Sequence, residues 1–192
     1  MKKLIGFLQK YNGYISIVVF ALMFVYALGM ATPAAVLKKY EECRTFYSGI
    51  MPYNNAILIL SIVGLLISAF YFVLRNHVRT IYYISNFVWN GINTAFTLTS
   101  GIITFVGVGY YQAQYAALPF DEINAYFEGS TNHINSNPAV FLIGYLLGAV
   151  IIISLVPHIL LLVDKVSLRT RYEKNKKAGI ANPVTYNPKE AK

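Results

Sequence analysis

Charge is what this sequence has least of. Only 12% of its 192 residues are charged, 56% are hydrophobic, and the mean hydropathy is +0.50. A soluble domain carries about 25% charged residues. The deficit is concentrated: residues 11–37, 45–74, 80–120 and 129–163 contain no Asp, Glu, Lys or Arg. Each window exceeds the roughly 20 apolar residues that cross a ~30 Å hydrocarbon core as a helix. The runs lack period-two alternation, and a helix satisfies its own backbone, so helices are expected rather than strands. The fold class expected is an all-α integral membrane protein, an antiparallel bundle of four transmembrane helices near 14–31, 55–74, 82–109 and 139–163. Residues 1–164 would form the transmembrane domain and 165–192 a basic cytoplasmic tail.

Other scarcities exclude chemistry. A single cysteine, Cys43, cannot form an internal disulfide or a Cys-based redox or metal site. It is read as a small apolar residue in a packed helix, in preference to an intersubunit bond. None of the spans contains Asp or Glu, which removes an intramembrane acid pair for proteolysis or proton relay. The histidines, His77, His133 and His158, are scattered over a hinge, a loop and the fourth span. Haem and zinc sites need converging ligands, and nothing in this spacing brings them together. There is no phosphate loop, no GxSxG and no HExxH. No catalytic residue, cofactor or metal is expected, and the protein is read as a non-enzyme. His158 follows Pro157, which removes a backbone donor and frees a carbonyl near Ile153 or Ser154. The histidine is therefore read as a hydrogen-bonding group of the bundle.

The charges that are present carry the topology. Thirteen of the 16 basic residues lie at the amino end (Lys2, Lys3, Lys10), in the hinge between spans two and three (Arg75, Arg79) or after span four. The other two loops hold Lys38, Lys39 and Arg44 against Glu41, Glu42, Asp121, Glu122 and Glu128. The positive-inside rule places both termini in the cytoplasm, with the plasma membrane as the expected location. The net charge of +8 thus flanks spans and does not point to nucleic acid. Asp164 and Lys165 read as a boundary pair. The run DKVSLRTRYEKNKK is expected to continue the fourth helix and attract anionic inner-leaflet lipids at ~1 kcal/mol per basic residue. Residues from AGIANPVTYNPKEAK onward are expected to be disordered or to fold on a partner. A signal peptide ending near Gly29 and Ala31 is the competing reading of the first span. Its apolar run from Tyr14 is longer than a typical ~7–15-residue signal core, which favours a retained span.

Both outer loops carry structure of their own. Thr32 before Pro33 reads as an N-cap with proline at the first helical position, opening a short amphipathic helix over 33–47. Its apolar stripe is Val36, Tyr40, Cys43 and Tyr47, and Lys38 and Glu42 form a pair on the other face. Over 110–138, Phe120, Ile123 and Phe127 form a second apolar edge, with Gly129 as a stop and polar loop up to Pro138. Tyr82 and Tyr83 at one end of span three, and Tyr110 and Tyr111 at the other, suit interfacial belts.

The most specific pattern lies in NFVWNGINTAFTLTSGIIT. Asn86, Asn90, Asn93, Thr97, Ser100 and Thr104 recur at alternating steps of four and three, and Gly107 extends the stripe. Such spacing puts them on one helix face with a coiled-coil-like period. Lipid cannot satisfy three asparagines, so this face must turn from lipid, either as a seam against small faces or as the lining of a solute path. Small faces are available: Ser61, Gly64 and Ser68 in span two, and Gly144 and Gly148 of GYLLG in span four. The seam is favoured because four spans alone make a slender bundle around an aqueous path. The functional expectation is a non-catalytic structural or assembly subunit of an oligomeric membrane complex, packed with other membrane subunits or copies of itself. The alternative is an oligomeric channel or small-solute transporter lined by the third span.

Overall fold

A computed structural model of the chain describes residues 2–29, 37–74, 80–128, 134–136 and 138–179. The described residues are helical, with no strand among them. Among the described residues there are five α-helices: α1 (Lys2–Gly29), α2 (Glu41–Leu74), α3 (Thr80–Ala116), α4 (Phe120–Tyr126) and α5 (Ala139–Lys177), with a 3-10 turn at Leu37–Lys39 before α2. Four of them are long and apolar enough to cross a membrane, over Tyr11–Gly29, Glu41–Phe72, Phe87–Ala116 and Ala139–Ser167.

The long helices pack in a closed ring, α1 on α2, α2 on α3, α3 on α5 and α5 on α1. Close approach is made by glycine. A Cβ on Gly64 would fall within the ring of Phe20 from α1, and one on Gly107 would meet the ring of Tyr53 from α2. Gly148 lies against Phe105, where a Cβ would come within 3.1 Å of the side chain and 3.5 Å of its Cα. Gly144 faces Tyr26 and Val108, and Gly101 faces Ile151 and Ile152. GYLLG is therefore turned onto α1 and α3 of the same chain. Phe20, Met23, Val108 and Ile151 fill the apolar part of the core. The bundle also exposes large apolar side chains while burying polar ones. Among the described residues, Val25, Ile59, Val106 and Ile153 are 61–67% exposed, while eleven Asn, Ser, Thr and His side chains are buried.

Two helices contain proline. Pro52 in α2 and Pro157 in α5 each remove one backbone hydrogen bond, and neither ends its helix. Beside Pro52, the Tyr111 hydroxyl donates to the Gly49 carbonyl at 2.8 Å. Beside Pro157, His158 Nδ1 donates to the Ser154 carbonyl at 2.6 Å. Each of these bonds lies one residue beyond the carbonyl that the proline leaves without its helical donor, Ser48 or Ile153.

The loop next to α2 differs from the expectation of a separate helix over 33–47. The turn at Leu37–Lys39 and a bend at Tyr40 lead directly into α2, so residues 41–47 belong to the second long helix. Glu41 and Glu42 in its first turn favour a start there, beside the positive end of the helix dipole. At 1.5 Å per residue, this helix is roughly 51 Å long, well beyond a hydrocarbon core. Helix α3 likewise outruns its expected end at 109, and α5 runs through the basic segment to Lys177, as DKVSLRTRYEKNKK suggests. Residues 30–36, the RNHVR hinge and the tail from 180 lie outside the described residues.

The extension of α2 supports a small cap. Cys43, Ile123, Phe127 and Ile134 bury one another in a separate cluster flanked by Tyr40, Tyr47, Leu118 and Phe120. Asn124 clamps Ile134 at both ends, accepting from its N–H at 2.9 Å and donating to its carbonyl at 3.2 Å. The Tyr115 hydroxyl at the end of α3 donates to the Asn135 carbonyl at 2.7 Å. Loss of solvation, then the Glu42 and Glu122 carboxylates, push the Tyr40 hydroxyl above its ordinary value. The exposed pair Arg44–Glu41, at 4.0 Å, adds little.

Candidate functional site: a buried polar seam

The α3 stripe is buried inside the monomer. Asn90, Asn93, Ser100 and Thr104 have no exposure and Thr97 has 1%. The side chain of Asn86 lies outside the described residues. Helix α3 holds the face in register because 3.6 residues per turn returns positions spaced three and four to the same side. Polar residues of the other helices are buried as well, Asn12 and Ser16 from α1, Ser61 and Ser68 from α2, Ser154 and His158 from α5, and of these Ser16 and Ser68 reach the stripe, at Asn93.

At the centre is a three-helix node. Ser16 Oγ and Ser68 Oγ are 2.6 Å apart, and both reach Asn93 Oδ1, at 3.1 and 3.3 Å. Two hydroxyl protons serve these three contacts, so at most two are hydrogen bonds at one time. Asn12 Nδ2 donates to the Tyr71 hydroxyl at 3.2 Å. Some polar groups turn back on their own helices: Thr97 Oγ1 to the Asn93 carbonyl and Thr94 Oγ1 to the Asn90 carbonyl at 2.7 Å, Ser61 Oγ to Leu58 and Ser154 Oγ to Ile151 at 2.6 Å. Nearer the cap, the Tyr53 hydroxyl donates to the Thr104 carbonyl at 2.9 Å, over Gly107.

The seam is not fully paired. Asn12 Oδ1, both side-chain polar atoms of Asn90, Asn93 Nδ2, Ser100 Oγ, Thr104 Oγ1 and His158 Nε2 are buried without a hydrogen-bond partner. Each such atom costs about 1–3 kcal/mol. The His158 tautomer follows from its one bond. A carbonyl only accepts, so Nδ1 carries the proton and, in the neutral ring, Nε2 is a buried acceptor.

The sequence pattern identifies Asn90 to Thr104 and the small faces of Gly64, Ser68, Gly144 and Gly148. It misses Asn12, Ser16 and Tyr71. Asn12 and Ser16 are one helical turn apart in the first span, and that i,i+4 spacing is the available signal. Gly144 and Gly148 do not enter the polar node; they seat α5 on Tyr26, Phe105 and Val108. Cys43 lies apart from the seam, packed in the cap as a free, buried thiol. Among the described residues, no three His, Cys, Asp or Glu side chains gather as a metal site would require.

A cavity of about 170 Å³ lies near the other end of the bundle, lined among others by Phe46, Ile50, Asn54, Tyr115 and Phe141. An open groove of about 620 Å³ runs along the cap beside Asp121, Glu122 and Asn135. Neither includes a stripe residue among its lining. No protein-family model, curated protein or solved structure matches the chain.

Proposed function

We propose that this is a four-span integral membrane protein of the plasma membrane, non-catalytic, serving as a structural or assembly subunit of an oligomeric membrane complex. The observation that carries the reading is the inverted polarity of the bundle. Val25, Ile59, Val106 and Ile153 lie outside, and Asn90, Asn93, Ser100 and Thr104 inside. Water would reward the opposite arrangement; hydrocarbon rewards this one. An antiparallel arrangement is supported by pairings in which one number falls as the other rises. Asn12 meets Tyr71, Ser16 meets Ser68, and Phe20 meets Gly64. The same holds for Phe70 with Trp89 and Tyr111 with Gly49, and for Gly101 with Ile151 and Val108 with Gly144.

Cytoplasmic termini rest on the thirteen basic residues that flank the spans. The tail would hold anionic lipids by charge alone. The cap would then face outward, with Glu41, Glu42, Asp121 and Glu122 as its surface acids. An assembly role suits a bundle whose seam and glycine faces are already used within the chain. Partners would bind through the apolar exterior or the cap. The test is the mass and protein composition of the species extracted in mild detergent. A defined assembly with other proteins is expected; a lone monomer rules the assembly role out.

The second reading, an oligomeric channel or small-solute transporter, is favoured by the unpartnered polar atoms of Asn90, Asn93, Ser100 and Thr104. Single cysteines at Asn93, Thr97 and Ser100, in a Cys43→Ser background, separate the two readings. Resistance to small water-soluble thiol reagents in native membranes fits a packed seam. Rapid labelling at two of the three positions replaces it with a water-lined path.

A further inference from the structure

The unpartnered groups of the seam are not evenly distributed along it. Five of the atoms belong to Asn12, Asn90, Asn93 and His158, which come from three different helices. The helix pairings bring these residues to within about one and a half helical turns of one another. On α3, Gly101 faces Ile151; about two turns along α5 from Ile151 is His158, and about two turns back along α3 are Asn93 and Thr94. On α1, Tyr26 faces Gly144; about four turns from each, in opposite directions, are Asn12 and His158. Asn12 is bound to Tyr71 of the remaining helix, so all four long helices contribute to the layer. This placement rests on the antiparallel pairing proposed above.

The layer contains both kinds of hydrogen-bonding group. Asn12 Oδ1, Asn90 Oδ1 and His158 Nε2 are acceptors; Asn90 Nδ2 and Asn93 Nδ2 are donors. Reversing the Asn90 amide cures nothing, because neither of its ends has a partner. Asn, Ser, Tyr and neutral His carry no charge, and the nearest acid and base on α5, Asp164 and Lys165, are about two turns further on. None of the layer's own side chains offers an ion a counter-charge, and an uncompensated ion is strongly disfavoured in a low-dielectric interior. A molecule that donates and accepts, carries no charge and is small enough for a packed bundle fits all these groups.

We propose that the layer of Asn12, Asn90, Asn93 and His158 is a binding site for one small uncharged molecule that both donates and accepts hydrogen bonds. Water and a compact amide or alcohol share that chemistry. The site lies inside the monomer, so it does not depend on the oligomeric state.

The experiment uses the full chain in lipid nanodiscs with ¹⁵N-labelled histidine, the His158 signals being identified by their loss in His158→Gln. Nε2 is expected to be unprotonated and to show the shift of a hydrogen-bond acceptor. A saturable change on titration with formamide, weakened at least tenfold by Asn90→Leu, assigns the site to a solute. No formamide response, together with a through-space cross-peak from His158 to water that Asn90→Leu abolishes, assigns it to bound water. An Nε2 signal of a bare lone pair, with neither response, overturns the proposal. So does a higher melting temperature in Asn90→Leu, since removing an uncompensated amide stabilises whereas removing a liganded one does not. The pairing is checked on its own by oxidative cross-linking of the Tyr26→Cys, Gly144→Cys double variant. Failure to cross-link would fault the register, not the chemistry of the layer.

Discussion

The cap and the seam solve the same problem, burial of polar groups, in opposite ways. In the cap the polar groups meet partners close by. Asn124 takes both ends of Ile134, and Tyr115 takes the Asn135 carbonyl. Its core is made of Cys43, Ile123, Phe127 and Ile134, which ask for nothing but contact. In the seam the amides and hydroxyls come from helices far apart in sequence, and rigid helices cannot bend to satisfy each one. The node at Ser16, Ser68 and Asn93 closes, while Asn90 next to it does not. Short loops can follow the hydrogen bonds they need; long helices fix their side chains first and take what pairs result.

The largest effect is expected where the helices approach most closely. Replacing Gly144 and Gly148 by Ile drives side chains into Tyr26, Val108 and Phe105. Overpacking of this kind costs about 1–3 kcal/mol at each site. The double variant should lose most of its monodisperse peak in detergent size-exclusion after mild heating. A wild-type profile would show that α5 is not seated through these glycines.

Next comes the cap, which can be opened without touching the bundle. Ile123→Ala removes a fully buried side chain, at about 2–5 kcal/mol. With a tenfold change for each ~1.4 kcal/mol, a loss of about 3 kcal/mol should make Cys43 react about 100-fold faster with maleimide. Labelling at the wild-type rate would mean that Ile123 does not guard the thiol. Tyr115→Phe should act in the same direction by about 1 kcal/mol, one hydrogen bond's worth.

In the seam, Asn93→Leu removes the acceptor shared by Ser16 and Ser68. At ~0.6 kcal/mol per interhelical bond, a loss of about 1 kcal/mol is expected, read as a lower melting temperature in detergent. On the opposite face of the same helix, Leu98 is 45% exposed, and Leu98→Ala should shift melting far less. Equal losses would erase the distinction between the buried seam and the exposed face. The smallest effect belongs to Arg44→Ala, whose surface pair with Glu41 is worth under ~0.5 kcal/mol.

Much of this is legible in the sequence, and the unread parts have physical reasons. Four uncharged windows correspond to four long apolar helices, because hydrocarbon thickness sets a length that composition reveals. The period of Asn90, Asn93, Thr97, Ser100 and Thr104 puts them on one buried face. What periodicity cannot report is which helix lies opposite. Ser16 escapes notice because a single serine in an apolar run costs little and signals little. The second helix starts at Glu41, well before the expected span at 55–74, because hydrocarbon thickness sets the length of a span and not that of the helix containing it. Pro52 sits within α2, near a Gly49 carbonyl that Tyr111 serves. Nor does sequence tell that GYLLG is turned inward onto Tyr26 and Phe105.

The closed ring of helices has a consequence for how the chain is made. Helices α1 and α2 can pair as soon as both have left the ribosome, and α3 can add to α2 through Asn93. Helix α1 also needs α5, the last to be synthesised, to cover the flank that carries Tyr26. Until α5 has been made, that flank lacks its final neighbour. A nascent chain stalled before residue 139 would therefore be a three-helix intermediate with an open side.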